Sequence, residues 1–289
     1  MMNNYRANRT LPYRIELIRQ IKRRRTAVAY GLMVALPLIV VAAVKLGPQS
    51  NSSSGSGGGD SNFGSGSLNL IGLATNGTWN FTLVMLLFGS GFLLTTVFAL
   101  FSGDTVASEA SWSTLRYLLA TPVPRRRLLM IKLAVGITLS LTALVILVSA
   151  SLAIGALAFG TEPLTSPLGG SFDSTQALGR IAIITGYIAT TLLFASGVAF
   201  LMTVVTDVPL GAVGTAVMIV IVSQILDALE ALGDLRQWLP SHYARSWTDA
   251  LSPTIDWTSM ARGASFSVIA FTLLVGWAVL RFDKKDVLS

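Results

Sequence analysis

Six runs of about 20 or more largely apolar residues dominate this chain, and that length is what an α-helix needs to cross the hydrocarbon core of a bilayer. They occupy residues 27–46, 80–102, 131–159, 178–205, 209–229 and 264–282. Lipid offers no water to bond backbone N–H and C=O groups, so each run must satisfy its own as helix. The expected fold is an all-α polytopic membrane protein with six transmembrane helices. Composition agrees: 12% of the 289 residues are charged, about half of what a soluble domain carries. Only Thr206-Asp207-Val208-Pro209 separates the fourth run from the fifth, a tight turn whose proline suits the first position of a helix. The third run is longer than a crossing requires, which predicts tilt or emergence from the bilayer.

Lys and Arg set the expected orientation. Eight precede the first run, five lie between the second and third or at the start of the third, and three lie at or beyond the end of the sixth, so 16 of the 21 fall on one side. The positive-inside rule places both termini and the 103–130 loop in the cytoplasm, in a plasma (inner) membrane of bacterial type. Reading the first run as a cleaved signal peptide is the alternative; its length and the Lys45 beyond its Ala-rich end favour a retained span. The net charge of +7 sits just outside the apolar runs, where it meets anionic headgroups rather than nucleic acid. The chain has no cysteine, which excludes thiolate chemistry, and His242 is its one histidine, which excludes a multi-histidine metal centre.

Two regions follow: a cytoplasmic segment 1–26 and a six-span domain 27–289. The segment 12–22 has the pattern of a basic amphipathic elbow helix, with Leu17, Ile18 and other apolar residues toward one side and Arg14, Glu16 and Arg19 on the rest. The outer loop 47–79 contains a flexible Gly/Ser stretch. In the cytoplasmic loop 103–130, Asp104 is placed to cap a helix through Ser108, Glu109, Trp112, Thr114, Leu115, Arg116 and Leu119, which Pro122 and Pro124 end. That helix carries apolar residues that need cover from headgroups or a partner. The outer segment 230–263 holds Trp238, Pro240, His242, Tyr243 and Trp247, expected as short interfacial or re-entrant helices whose aromatics anchor the interface or shape an outer gate.

The span interiors carry essentially no ionisable residues, which disfavours ion-coupled transport. Their Ser, Thr and Gly spacings (Gly136/Ser140, Ser151/Gly155, Gly211/Thr215) predict close helix packing. No lysine follows a glycine, so a P-loop is not expected and any nucleotide hydrolysis belongs to another subunit. No catalytic, cofactor or metal residues are expected.

The loop pattern Asp104, Glu109, Ser113-Thr114-Leu115, Leu118-Leu119, Pro122-Val123, Arg125 and Lys132 resembles that of membrane subunits of ATP-binding-cassette exporters of the type-two permease class. Glu16-Leu17-Ile18-Arg19 resembles that family's elbow, and Trp238-Leu239-Pro240-Ser241-His242-Tyr243 the stretch before its last span. The family usually has glycine where Ser113 stands, and the Gly/Ser insert is outside its pattern. The resemblance implies a cytoplasmic coupling helix at 105–120, with Asp207 in a smaller second contact. It also implies two copies of a cytoplasmic ATPase that binds ATP and Mg, and a second permease subunit, identical or homologous. On this basis the chain forms a substrate pathway, and Glu109 is a key polar contact at the joint or else a partner of Arg116. The alternative is a membrane scaffold that recruits a non-ATPase partner through the 103–130 loop.

Overall fold

The computed structural model describes residues 13–46, 70–111, 124–166, 169–206 and 208–284. The helix expected before the first span is present as α1 (Tyr13–Ile21). Lys22 and Arg23 turn the chain into α2 (Arg24–Leu46), and the Thr26 hydroxyl fixes that corner by donating to the Gln20 carbonyl at 2.7 Å. A short α3 (Leu70–Thr75) precedes α4 (Thr78–Phe88), which passes through a π-helical turn at Gly89–Leu93 directly into α5 (Leu94–Ser111). Then come α6 (Arg125–Phe159), a two-residue antiparallel pairing of β1 (Leu164–Thr165) with β2 (Ser171–Phe172), and α7 (Ser174–Thr206). Next is α8 (Pro209–Asp227), which starts on its proline as expected. Two 3-10 helices, Glu230–Trp238 and His242–Leu251, lead to α9 (Trp257–Asp283).

Six helices are long and apolar enough to cross a membrane: α2, the continuous α4–α5 rod, α6, α7, α8 and α9. The protein is an all-α polytopic bundle. Five spans run slightly beyond the apolar run that marked them, the sixth starting at Trp257 rather than near 264, while the fifth ends at Asp227, two residues short of its run. The α4–α5 rod and α7 are the most buried spans and form the centre. On one side α6 joins the rod to α2; on the other α7 carries α9, while α8 lies along both α5 and α7.

Small residues allow these approaches. Gly136 of α6 faces the Phe101 carbonyl so closely that a β-carbon there would sit 2.8 Å from the oxygen. Ser140 and Ser151 are fully buried, and a β-carbon at Gly155 would meet Phe81 at 3.0 Å. Two of the three expected spacings therefore lie at helix contacts. The third does not: α8 buries Ala212, Ala216 and Ser223, one position round from Gly211 and Thr215.

The two ends of the bundle differ. At one end lie the start of α2, the end of α5, the start of α6 and the end of α9, with most of the described Lys and Arg. The other end is roofed. There the Thr78 hydroxyl donates to Gly160 O (2.5 Å), Asn80 bonds Thr165 through both its amide oxygen and nitrogen, and the Ser166 hydroxyl donates to Leu251 O (2.7 Å). Gly77 takes φ +117° at that corner, a conformation side-chain-bearing residues rarely adopt.

Candidate functional site

The basic end is where the sequence placed a joint, and its polar contacts converge there. Asp104 sits in the unbroken helix α5 rather than at a helix start, so it is not the cap expected of it. Its carboxylate is occupied instead by two guanidiniums from the α1–α2 corner: Arg23 at 3.4 Å through Oδ2, and Arg25 through Oδ1. A small cavity beside this clasp is lined by Gln20, Thr26, Leu100, Phe101 and Leu139. Arg126 at the start of α6 donates to Asp283 at the end of α9 (2.5 Å), which ties the third and sixth spans at the same level.

The elbow helix exposes its isoleucines and buries one of its charges, Glu16. Ile15, Ile18 and Ile21 are exposed and Leu17 is half-buried against the core, while Glu16 and Gln20 are buried. Glu16 accepts from Arg19 (2.9 Å) and Gln20 (3.0 Å) and lies 3.7 Å from the Lys132 ammonium of α6. Burial pushes the Glu16 carboxyl up, but Lys132, the Gln20 amide and Arg19 outweigh it and hold the group below its ordinary value. The Tyr13 hydroxyl shares a 2.6 Å hydrogen bond with Thr138, so α1 is fastened to α6 at two levels. Arg14 is exposed. Lys132 and Arg180, expected as flanking charges, are drawn into the bundle. Both are buried a turn or so inside α6 and α7, where polar groups of the bundle ends still reach them.

Ser108 and Glu109 ride on the last turns of α5, which carries the second span's axis straight into the expected coupling segment. Trp112, Thr114, Leu115, Arg116, Leu119 and Asp207 lie outside the described residues.

At the roofed end the aromatic residues do not act as one belt. Trp247 is buried in the main core, whereas Trp238 is 76% exposed and Pro240 and Tyr243 are half-buried. The second 3-10 helix is nailed to α7: the Tyr187 hydroxyl donates to Tyr243 O (2.6 Å), and Arg180 donates to the carbonyls of Ala250, Ser252 (2.7 Å) and Pro253 (3.2 Å) while lying 3.7 Å over the Phe172 ring. His242 Nδ1 lies 2.7 Å from Asp227 Oδ1. Asp256 caps α9 by accepting from the Thr258 N–H (2.9 Å), which holds its carboxyl below the usual range.

A family model described as a protein of unknown function (DUF2705) matches residues 38–288. The chain belongs to that family. The DUF2705 match begins within α2 and takes in the end of the first span and all of the other five, so Asp104, Lys132 and the roofed end fall inside it, while Glu16, Arg23 and Arg25 precede it. A comparison with curated proteins gives no match. Sequence reasoning missed two features inside the DUF2705 region: the burial of Lys132 and the π-helical turn. The first left only one signal, a lysine at the second position of an apolar run. The second left the triplet Gly89-Ser90-Gly91 in the middle of a span.

Proposed function

We propose that the chain is the permease subunit of an ATP-driven exporter, with its basic end in the cytoplasm and a separate ATPase seated on the segment that follows α5. The observation that carries this reading is the unbroken passage of the second span into that segment, its foot clasped at Asp104 by Arg23 and Arg25. A force applied to the segment would be delivered along a central, buried helix rather than absorbed in a loop.

A second observation supports a partner in the membrane. Gln224 is exposed on α8 and its amide reaches the Gly91 carbonyl of the π-helical turn at 3.4 Å, between the exposed side chains of Phe92 and Ile225. A polar side chain beside a π-helical turn on an outward face suits a shared pathway between two permeases better than lipid. Purification of the tagged protein from its native host in mild detergent tests the reading. A co-purifying ATPase in stoichiometric amount, lost in the Glu109→Ala and Leu115→Asp variants, is expected. Intact complexes of other membrane proteins with no ATPase on this one would sink it and favour the scaffold.

A further inference from the structure

The roofed end contains a charge contact that transport coupling does not use. Ser223 and Asp227 lie four residues apart on α8, so both occupy one face of its last turns. Their partners are consecutive in the chain. The Ser223 and Ser241 hydroxyls are buried and 2.7 Å apart, and His242 Nδ1 meets Asp227 Oδ1 at 2.7 Å. These two rungs close the neck of a loop that leaves at Ala228 and returns at Pro240. The loop's own helix buries none of its residues, and Gly233 breaks it at φ +49°, ψ −128°. Beyond His242 the chain is pinned to α7 by Tyr187 and Arg180, so the neck is the weak member of this roof.

The geometry points to a proton-operated clasp: we propose that protonation of His242 tightens its bond to Asp227 and closes the neck of the 228–240 loop, and that deprotonation loosens it. Imidazole is the side chain that changes charge in the pH 5–8 interval. Protonation makes both partners ionised and adds Coulomb attraction to a bond that a neutral imidazole can already donate to the carboxylate. The loop itself supplies a competitor, since Arg236 Nε lies 3.6 Å from the same Asp227 oxygen. A charged His242 holds Asp227 to the pinned side of the neck; a neutral one leaves it to an arginine on the exposed loop helix. The Tyr243 ring stands edge-on to the imidazole at 4.9 Å. Arg245 and Asp249 on the same 3-10 helix, Arg180 on α7, and Asp256 and Arg262 at the α9 end form no hydrogen bond or ion pair with His242 among the described residues. The clasp needs neither an ATPase nor an orientation, so it stands or falls apart from the exporter reading.

The absence of native cysteine gives a background-free assay. A thiol placed by Ser223→Cys reports on the buried neck, and one placed by Gln237→Cys on the exposed loop corrects for the pH dependence of thiol reactivity. Maleimide labelling rates are measured in detergent at pH 5.5 and pH 8. The S223C rate, divided by the Q237C rate, is expected to be up to about fivefold lower at pH 5.5. The same ratio in a His242→Gln background should not change with pH, and Asp227→Asn should behave like it. A pH-independent ratio with His242 present, or an equal pH dependence with it replaced, would overturn the clasp.

Discussion

At the scale of single residues, the Glu16–Lys132 pair has the clearest energetic consequence. Both side chains are almost wholly buried and 3.7 Å apart. Removing one member of a buried pair costs up to about 3–5 kcal/mol, and less here because Arg19 and Gln20 still bond Glu16, whereas replacing both by neutral groups of similar size costs far less. Lys132→Met should therefore lower the unfolding temperature of the detergent-solubilised protein sharply, and adding Glu16→Gln should recover most of the loss; an equally unstable double variant would refute the pairing. The depressed Glu16 carboxyl fixes the pH dependence. Its stabilisation is complete above the ordinary value of 4.5 and is lost as pH falls through the lower folded value. The acid limb of stability should be steeper in the natural protein than in Glu16→Gln. None of this was legible in the sequence. Glu16 reads as one charge on a solvated face and Lys132 as one more topogenic lysine, because the partner of a buried charge is chosen by packing between distant segments.

At the scale of elements, helix contacts are decided by which stripe of small residues faces a neighbour. Gly136 leaves no room for a β-carbon against the Phe101 backbone. Gly136→Val should push α6 off α5 at a cost of about 1–3 kcal/mol, seen as a lower unfolding temperature, while Gly186→Ala, with open space around it, should change little. The sequence shows that such stripes exist but not how each is turned. On α6 the spaced small residues are the contact. On α8 the adjacent Ala212 and Ala216 take that role, since both pairs have the same four-residue spacing and only the neighbour distinguishes them. Short helices were expected at the roofed end and are there, but the placement of their aromatics was hidden: Trp247 turns into the core because Arg180 and Tyr187 draw its helix down onto α7.

At the scale of the whole molecule, hydropathy alone gave the number and order of the spans, because length and apolarity are properties of each run by itself. The arrangement was not legible, since burial of the α4–α5 rod and α7 at the centre depends on pairs of faces. Their burial leaves α8 exposed with Gln224 outward. If that face meets a second copy, Gln224→Cys should give a dimer band with a short bis-maleimide in native membranes. A monomer band alone, with the thiol fully labelled by a monofunctional reagent, would exclude that arrangement. The π-helical turn at Gly89–Leu93 acts on this same scale. It holds one residue more than an α-turn would, and one residue is about 100° of helical rotation. The turn therefore sets the phase between the two halves of the second span. Without that extra residue the lower half would point Asp104 about a quarter-turn away from Arg23 and Arg25, so the alignment at the basic end is determined deep in the middle of the bundle.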